Sequence, residues 1–291
     1  MKVLICGGRG QLGNDCTRVM TPSHEVVSTD LEELDITDLS AVDDMIRRAT
    51  PHVVINCAAY TRVDECETKQ EVARKVNVDG PRHLALAVEE QGGRLIHIST
   101  DYVFDGAKQV PEPYVEEDAP HPVSCYGRTK LEGEEAVREI AKGHIIVRTA
   151  WLYGHHGQNF LKTMLRLASR NPGKEIRVVH DQFGSPTWSY RLALQIARLM
   201  EANGRGTYHA TSEGHCTWYE LATYFLERMG VSHHVVPCTS AEYPTPASRP
   251  KNSILENRHL KQEGLNLMMD WKEDLDQFVS RHREDLLREV A

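Results

Sequence analysis

A doubly wound α/β fold, a parallel sheet with helices on both faces, is predicted by three features of this 291-residue sequence. Short apolar runs alternate with amphipathic stretches through the first half. A glycine triplet directly follows the first apolar run. Near residue 150 the character changes, and loops rich in Gly, Pro and aromatic residues begin to separate the helical patterns. Strand–helix alternation implies βαβ units, and helical crossovers cover a parallel sheet on both faces. The predicted strands are Val3–Cys6, Val26–Thr29, Val53–Asn56, Leu95–Ile98 and Ile145–Arg148. Helical patterns open at Gln11 and after the N-cap candidate Asp38, run through Ala73–Glu90, and cover Leu131–Ile140. Beyond residue 150 they recur at Phe160–Ser169, Arg191–Met200 and Tyr219–Arg228, with a charged surface helix over Lys272–Arg288. Tyr243–Pro250 holds three prolines and excludes a regular helix.

Composition narrows the function. Hydrophobic residues at 40% and charged residues at 26% describe an ordinary globular chain. A net charge of −8 speaks against nucleic acid as the main partner, because a phosphate backbone calls for a basic surface. There is no run of 18 apolar residues, and the N-terminus enters a strand directly, so neither a membrane span nor a leader is predicted. Seven scattered cysteines without a C-x-x-C pair predict a reduced, cytoplasmic protein. The 15 histidines include two adjacent pairs, His155–His156 and His233–His234, but no H-E-x-x-H, and no metal site is expected.

Three motifs carry chemistry. Gly7-x-x-Gly10-x-x-Gly13 follows a strand and opens a helix, a setting in which bare backbone approaches a pyrophosphate. Asp30 closes the second strand 17 residues beyond Gly13, where a carboxylate bonds an adenosine ribose; a plain strand–helix turn is the bland alternative. Ser99-Thr100-Asp101-Tyr102 ends the fourth strand, on the side where open α/β sheets bind ligands, although a capped turn needs the same residue types. In Tyr126-Gly127-Arg128-Thr129-Lys130, Tyr and Lys share a helix face. An ammonium there favours phenolate, lowering the tyrosine pKa from about 10 toward working pH for proton transfer to a carbonyl oxygen. Taken alone, a Y-x-x-x-K is more often incidental.

Together and in this order, the motifs resemble the extended short-chain dehydrogenase/reductase superfamily. Within it, GGRGQLG, VVINCAAYTRVDECE, STDYVFDG, YGRTKLEGE, RTAWLYG, DQFGSPT and YPTPASRPKNS resemble the successive signatures of the dTDP-4-dehydrorhamnose reductase family, spanning residues 7 to 253. The resemblance implies a Rossmann-type dinucleotide-binding domain over residues 1–150 and a mainly substrate-binding region over 151–291, with chain crossings between them. It also implies reduction of the C4 ketone of dTDP-4-dehydro-L-rhamnose by NADPH or NADH.

The site residues implied by the resemblance follow motif by motif. Gly7, Gly10, Gln11, Leu12 and Gly13 would line the cofactor pyrophosphate, with Asp30 at the ribose and Asp35 and Ile36 beside adenine. Ala59, Tyr60 and Thr61 would contact the cofactor further along. Tyr126 would donate the proton, Lys130 would hold the nicotinamide ribose, and Thr100 would bond the reacting oxygen. Asp101 and Trp151 would touch the sugar. Arg249 suits a substrate diphosphate or a surface ion pair equally, and Asn77 suits a backbone contact near the site or a packing role. Gly8-Arg9 departs from the Lys-Thr pair of many relatives. Arg9 attracts a 2′-phosphate that Asp30 repels, which leaves NADPH and NADH both open. The expected partners are a dTDP-sugar substrate and a second copy in a homodimer, with neither nucleic acid nor membrane. Two rivals remain: another sugar-nucleotide reductase, epimerase or dehydratase of the superfamily, and a non-catalytic subunit like that of methionine adenosyltransferase. Asp101-Tyr102 after Thr100, where a dehydratase carries Asp-Glu, disfavours a dehydratase.

Overall fold

The computed structural model describes residues 1–170 and 173–290. Through the first half the chain forms β1 (Lys2–Cys6), α1 (Gln11–Met20), β2 (Glu25–Thr29), α2 (Leu39–Ala49), β3 (Val53–Asn56), α3 (Val63–Cys66), α4 (Gln70–Arg74), α5 (Gly80–Glu90), β4 (Arg94–Thr100), α6 (Cys125–Ile140) and β5 (Ile145–Thr149). The second half adds β6 (Leu152–Tyr153), α7 (Phe160–Arg170), β7 (Glu175–Val179), β8 (Phe183–Gly184), β9 (Thr187–Trp188), α8 (Ser189–Glu201) and β10 (Gly206–His209). It continues with β11 (Cys216–Thr217), α9 (Trp218–Met229), β12 (His234–Cys238), α10 (Arg258–Gln262) and α11 (Trp271–Val290). No helix of the described residues is long and apolar enough to cross a membrane.

Six parallel strands run in the order β10-β5-β4-β3-β1-β2. The order reverses between β1 and β3, the kind of switch point where open α/β sheets form a ligand crevice. Alternating side chains of β1 explain why both faces are covered. Val3 and Ile5 pack with Leu12, Cys16, Leu192 and Ile196 of α1 and α8, while Leu4 and Cys6 pack with Val42, Ile46, Leu84 and Val137 of α2, α5 and α6. A separate core of Leu161, Leu165, Trp188, Phe225 and Phe278 holds α7, α9 and α11 together.

All five predicted strands are present, and Asp38 caps α2 by accepting the backbone N–H groups of Ser40 and Ala41. Several elements go beyond the predicted list, and two of them shape the sheet and its crossovers. The sixth sheet strand, β10, comes from the second half of the chain, and α8 packs on α1. The single helix expected over Ala73–Glu90 is interrupted by a π turn at Lys75–Asp79. Pro81 at the start of α5 has no N–H for the carbonyl four residues back, that of Asn77, so the α ladder breaks there.

Candidate active site

A cavity of about 480 Å³ opens along the carboxyl ends of β3, β4 and β5, a size suited to a small-molecule site. One end is Gly10, Gln11, Leu12 and Gly13 at the start of α1, where Gly10 is an N-cap with no side chain to cap it. The first N–H groups of a helix lack intrahelical partners, and the helix dipole makes that end positive. Gly7 turns the chain with φ +76°, and a Cβ there would lie 2.7 Å from the Ala58 nitrogen. Only bare backbone fits this turn. A dinucleotide pyrophosphate suits such a cradle.

The middle of the cavity is lined by Ser99, Thr100, Asp101, Tyr126, Lys130 and Thr149. Ser124 caps α6 by accepting the Gly127 N–H at 3.1 Å, so the helix begins a turn and a half before the predicted Leu131 and carries both Tyr126 and Lys130. Thr100 donates its hydroxyl to Asp101 Oδ1 at 2.9 Å. The hydroxyls of Ser99, Thr149 and Tyr153 and the second carboxylate oxygen of Asp101 are buried without a partner among the described residues. Four unmet polar groups on one cavity call for a polar ligand.

Burial sets the charges here. It pushes the Asp101 carboxyl up to about 6 and Lys130 down to about 8. Burial also raises the Tyr126 phenol above its ordinary value, against the Thr100 hydroxyl, which favours the ionised form. The sequence-based expectation of a depressed Tyr126 pKa is therefore not met in this structure: loss of water raises it, and the opposing pull comes from the Thr100 hydroxyl rather than from Lys130.

The far end is aromatic. Trp151, Trp218, Phe160, Tyr153 and Leu221 line it, with the Trp151 and Trp218 rings stacked at 3.5 Å. Gly184 of the DQFGSPT segment lies against the Trp151 indole, where a Cβ would come within 2.7 Å of Cζ2.

Of the residues singled out from the sequence, Gly10, Gln11, Leu12, Gly13, Ala59, Thr61, Thr100, Asp101, Tyr126, Lys130 and Trp151 meet on this cavity. Others do not line it. Asp30 accepts the N–H groups of Arg9 and Leu31, both at 2.9 Å. Asp35 accepts the Thr37 N–H, and Ile36 is buried in the core. Tyr60 exchanges two hydrogen bonds with Asn77, its N–H donating to Oδ1 at 2.8 Å and its carbonyl accepting from Nδ2 at 3.2 Å. Arg249 pairs with Asp64 at 2.9 Å, and Asp64 also accepts the Ala247 N–H. This clasp joins the VDECE and ASRP segments. Ser99, which the sequence offered together with Thr100 and Asp101, also lines the cavity, whereas Trp218, Thr149 and Tyr153 were not singled out. Thr149 and Tyr153 lie within the RTAWLYG segment, and Trp218 stands just after Thr217, which forms a capping box with Glu220.

Away from the cavity, ligand atoms of His155, His282 and Asp285 gather within 4.8 Å of one another, as do those of Glu116, Glu117 and His259. The His155 and His282 rings stack 18° from parallel, and His259 Nε2 lies 3.0 Å from Glu117.

The family model described as RmlD substrate binding domain matches residues 1–284. The chain belongs to this family. Among its relatives, the dTDP-4-dehydrorhamnose reductase of Sinorhizobium fredii is 40% identical over 290 residues, covering 96% of this chain and 97% of that one. The crystal structure of a dTDP-4-dehydrorhamnose reductase from Clostridium acetobutylicum aligns with TM-score 0.93 and 42% identity, covering 97% of this chain and 99% of that one. The dTDP-4-dehydrorhamnose reductase of Bacillus anthracis, solved in complex with NADP, aligns with TM-score 0.93 and 39% identity over 96% and 99% of the two chains. As an RmlD-family member, the chain carries the family fold over nearly its whole length.

Proposed function

We propose that this chain is an NAD(P)H-dependent oxidoreductase that reduces the C4 ketone of dTDP-4-dehydro-L-rhamnose to give dTDP-L-rhamnose. The observation that carries the reading is the meeting of Thr100, Tyr126 and Lys130 with the bare start of α1 and the Trp151–Trp218 pair on one cavity. Full-length likeness to dTDP-4-dehydrorhamnose reductases, one of them solved with NADP, supports it.

In this reading Gly7, Gly10, Gln11, Leu12 and Gly13 hold the dinucleotide pyrophosphate. Asp30, Asp35 and Ile36 serve its adenosine end, and Ala59, Tyr60 and Thr61 the stretch beyond. When bound, the reduced nicotinamide supplies the hydride. Tyr126 gives its phenolic proton to the C4 oxygen; burial keeps that proton in place until the oxygen becomes basic enough to take it. Thr100 would turn its single hydroxyl proton from Asp101 Oδ1, where it rests in this structure, to the same oxygen. Lys130 positions the nicotinamide ribose, and Trp151 packs against the sugar. Arg249 would exchange its Asp64 contact for the substrate diphosphate. Asn77 acts through Tyr60, whose peptide it clamps on both sides. A cytoplasmic location suits seven free cysteines, and assembly into a homodimer is checked by sedimentation.

The test is product analysis. With NADPH, the keto sugar nucleotide gains two hydrogens and its magnetic resonance spectrum becomes that of dTDP-L-rhamnose. Recovery of unchanged keto sugar with both cofactors refutes the reading and leaves another sugar-nucleotide enzyme of the superfamily or the non-catalytic alternative.

A further inference from the structure

Lys130 donates from Nζ to the Ile98 carbonyl at 2.7 Å and lies 3.4 Å from His97 Nε2. The other His97 nitrogen, Nδ1, is 3.2 Å from Asn56 Nδ2, and Asn56 Oδ1 accepts the Ala58 N–H at 3.1 Å. His97 and Asn56 are both buried, at 0% and 1% exposure.

The direction of each bond follows from its fixed end. A backbone N–H can only donate, so the Asn56 carbonyl oxygen faces Ala58 and its amide NH₂ faces His97. Nδ1 of His97 therefore accepts, and the single proton of a neutral imidazole sits on Nε2. That N–H points at the Lys130 nitrogen. An ammonium has only donors and opposes it, whereas an amine offers a lone pair that accepts it.

We propose that Asn56 and His97 are positioning residues for Lys130: through this one-way chain, anchored on the Ala58 N–H, they favour its neutral amine over its ammonium. Burial acts in the same direction, pushing Lys130 down to about 8 against the pull of Glu134 on its own helix and of Cys57 after β3. Glu134 is already bonded twice by Arg148, at 2.9 and 2.7 Å. Burial, followed by the charge of Lys130, holds His97 well below its ordinary value and hence neutral. Tyr126, four residues earlier on α6, then meets a cationic Lys130 at neutral pH and an uncharged one in mild base. This consequence for proton transfer rests on the reductase reading; the hydrogen-bond chain does not.

Nuclear magnetic resonance of the full-length protein, without cofactor or sugar, tests the proposal independently of turnover. Two-bond ¹H–¹⁵N correlations at pH 7 should show His97 as the Nε2–H tautomer; an Nδ1–H tautomer or an imidazolium overturns it. The ¹³Cε signal of Lys130, assigned by its loss in Lys130→Met, should titrate near pH 8, and a midpoint at 10 or above overturns the proposal. His97→Phe removes the opposing N–H without adding charge. It should raise the midpoint by ~0.5–1 pH unit, the size of one hydrogen bond; an unchanged or lowered midpoint overturns the proposal. If that variant does not fold, the tautomer of the wild-type protein decides.

Discussion

Trp151 lies flat against Trp218, with ring centroids 3.5 Å apart and planes 6° from parallel. Trp151 reaches this position with φ +46°, a left-handed conformation unfavourable for a bulky residue. The stack and the close approach of Gly184 hold it there. Two segments far apart in sequence thus build one aromatic wall.

Gly184→Ala tests that wall without altering either tryptophan. The added methyl would overlap the Trp151 indole. We expect KM for the sugar nucleotide to rise about tenfold with a smaller change in kcat, the pattern of lost ground-state binding. Overpacking should lower stability by roughly 1–3 kcal/mol. Steady-state kinetics at saturating cofactor check the first outcome and denaturant unfolding the second; an unchanged KM removes the wall from sugar recognition.

Tyr126→Phe keeps the ring, including its edge contact with Tyr102 at 5.5 Å, and removes the proton. Turnover should fall by about 10²–10⁴-fold, the usual worth of general acid assistance, with cofactor affinity nearly intact. Fluorescence titration of the cofactor alongside single-turnover rates separates the two. Near-native turnover would take Tyr126 out of the mechanism.

Lys130→Met should make the protein more stable at pH 7 and remove function. The pKa of Lys130 is lowered from 10.5 to about 8 by burial. For a depressed group, its contribution to stability is present above 10.5 and lost as pH falls through 8. At pH 7 the folded wild type therefore carries a buried ammonium, a cost on the order of 3 kcal/mol for a shift of that size. The advantage of methionine should be largest below pH 8 and shrink between pH 8 and 10.5. Thermal melts of both proteins across that window give the comparison, and a variant less stable at pH 7 contradicts it.

The legible and illegible parts of this molecule differ in physical kind. Strands β1, β3, β4 and β5 announce themselves as apolar runs because parallel strands there are buried on both faces, while the edge strand β2 is half exposed and shows only the pair Val26–Val27. Strand β10 is only Gly206–His209, and it pairs with Ile145–Arg148 some sixty residues earlier. Nothing local in G-T-Y-H encodes that partner. The π turn at Lys75–Asp79 follows from Pro81, a visible cause, yet its use by Asn77 to clamp Tyr60 is a contact between separate segments. Tyr126 and Lys130 were legible from their spacing, whereas the change in their pKa values was not. Proximity of charge can be read from a helix face; depth of burial is set by the whole fold. Ser99, Thr149 and Tyr153 lie in the STDYVFDG and RTAWLYG segments, but that their hydroxyls are buried without a partner among the described residues is set by the whole fold.

Cofactor choice turns on a small charged cluster. Arg9 pairs with Glu32 at 2.7 Å and with Glu33, while its backbone N–H bonds Asp30. The guanidinium that would meet a 2′-phosphate is thus already engaged by two exposed carboxylates. Exposed pairs are weak and exchangeable, so both cofactors should serve, with a preference within roughly tenfold. Glu32→Gln with Glu33→Gln should shift the preference toward NADPH, as should Asp30→Ala, and Arg9→Ala should shift it toward NADH. Dissociation constants for both cofactors measure each shift. An unchanged ratio in Asp30→Ala ends the ribose assignment of Asp30.

The cavity joining Thr100, Tyr126, Lys130 and Trp151 is expected to reduce a dTDP-linked 4-keto sugar. The most direct measurement follows the absorbance of NADPH mixed with purified protein, before and after addition of dTDP-4-dehydro-L-rhamnose. We expect no loss before addition, then oxidation equal in amount to the keto sugar supplied, and a rate at least a hundredfold lower in Tyr126→Phe, the lower end of the ~10²–10⁴ range for a lost general acid. Absorbance that stays constant with the sugar present, for NADPH and NADH alike, contradicts it.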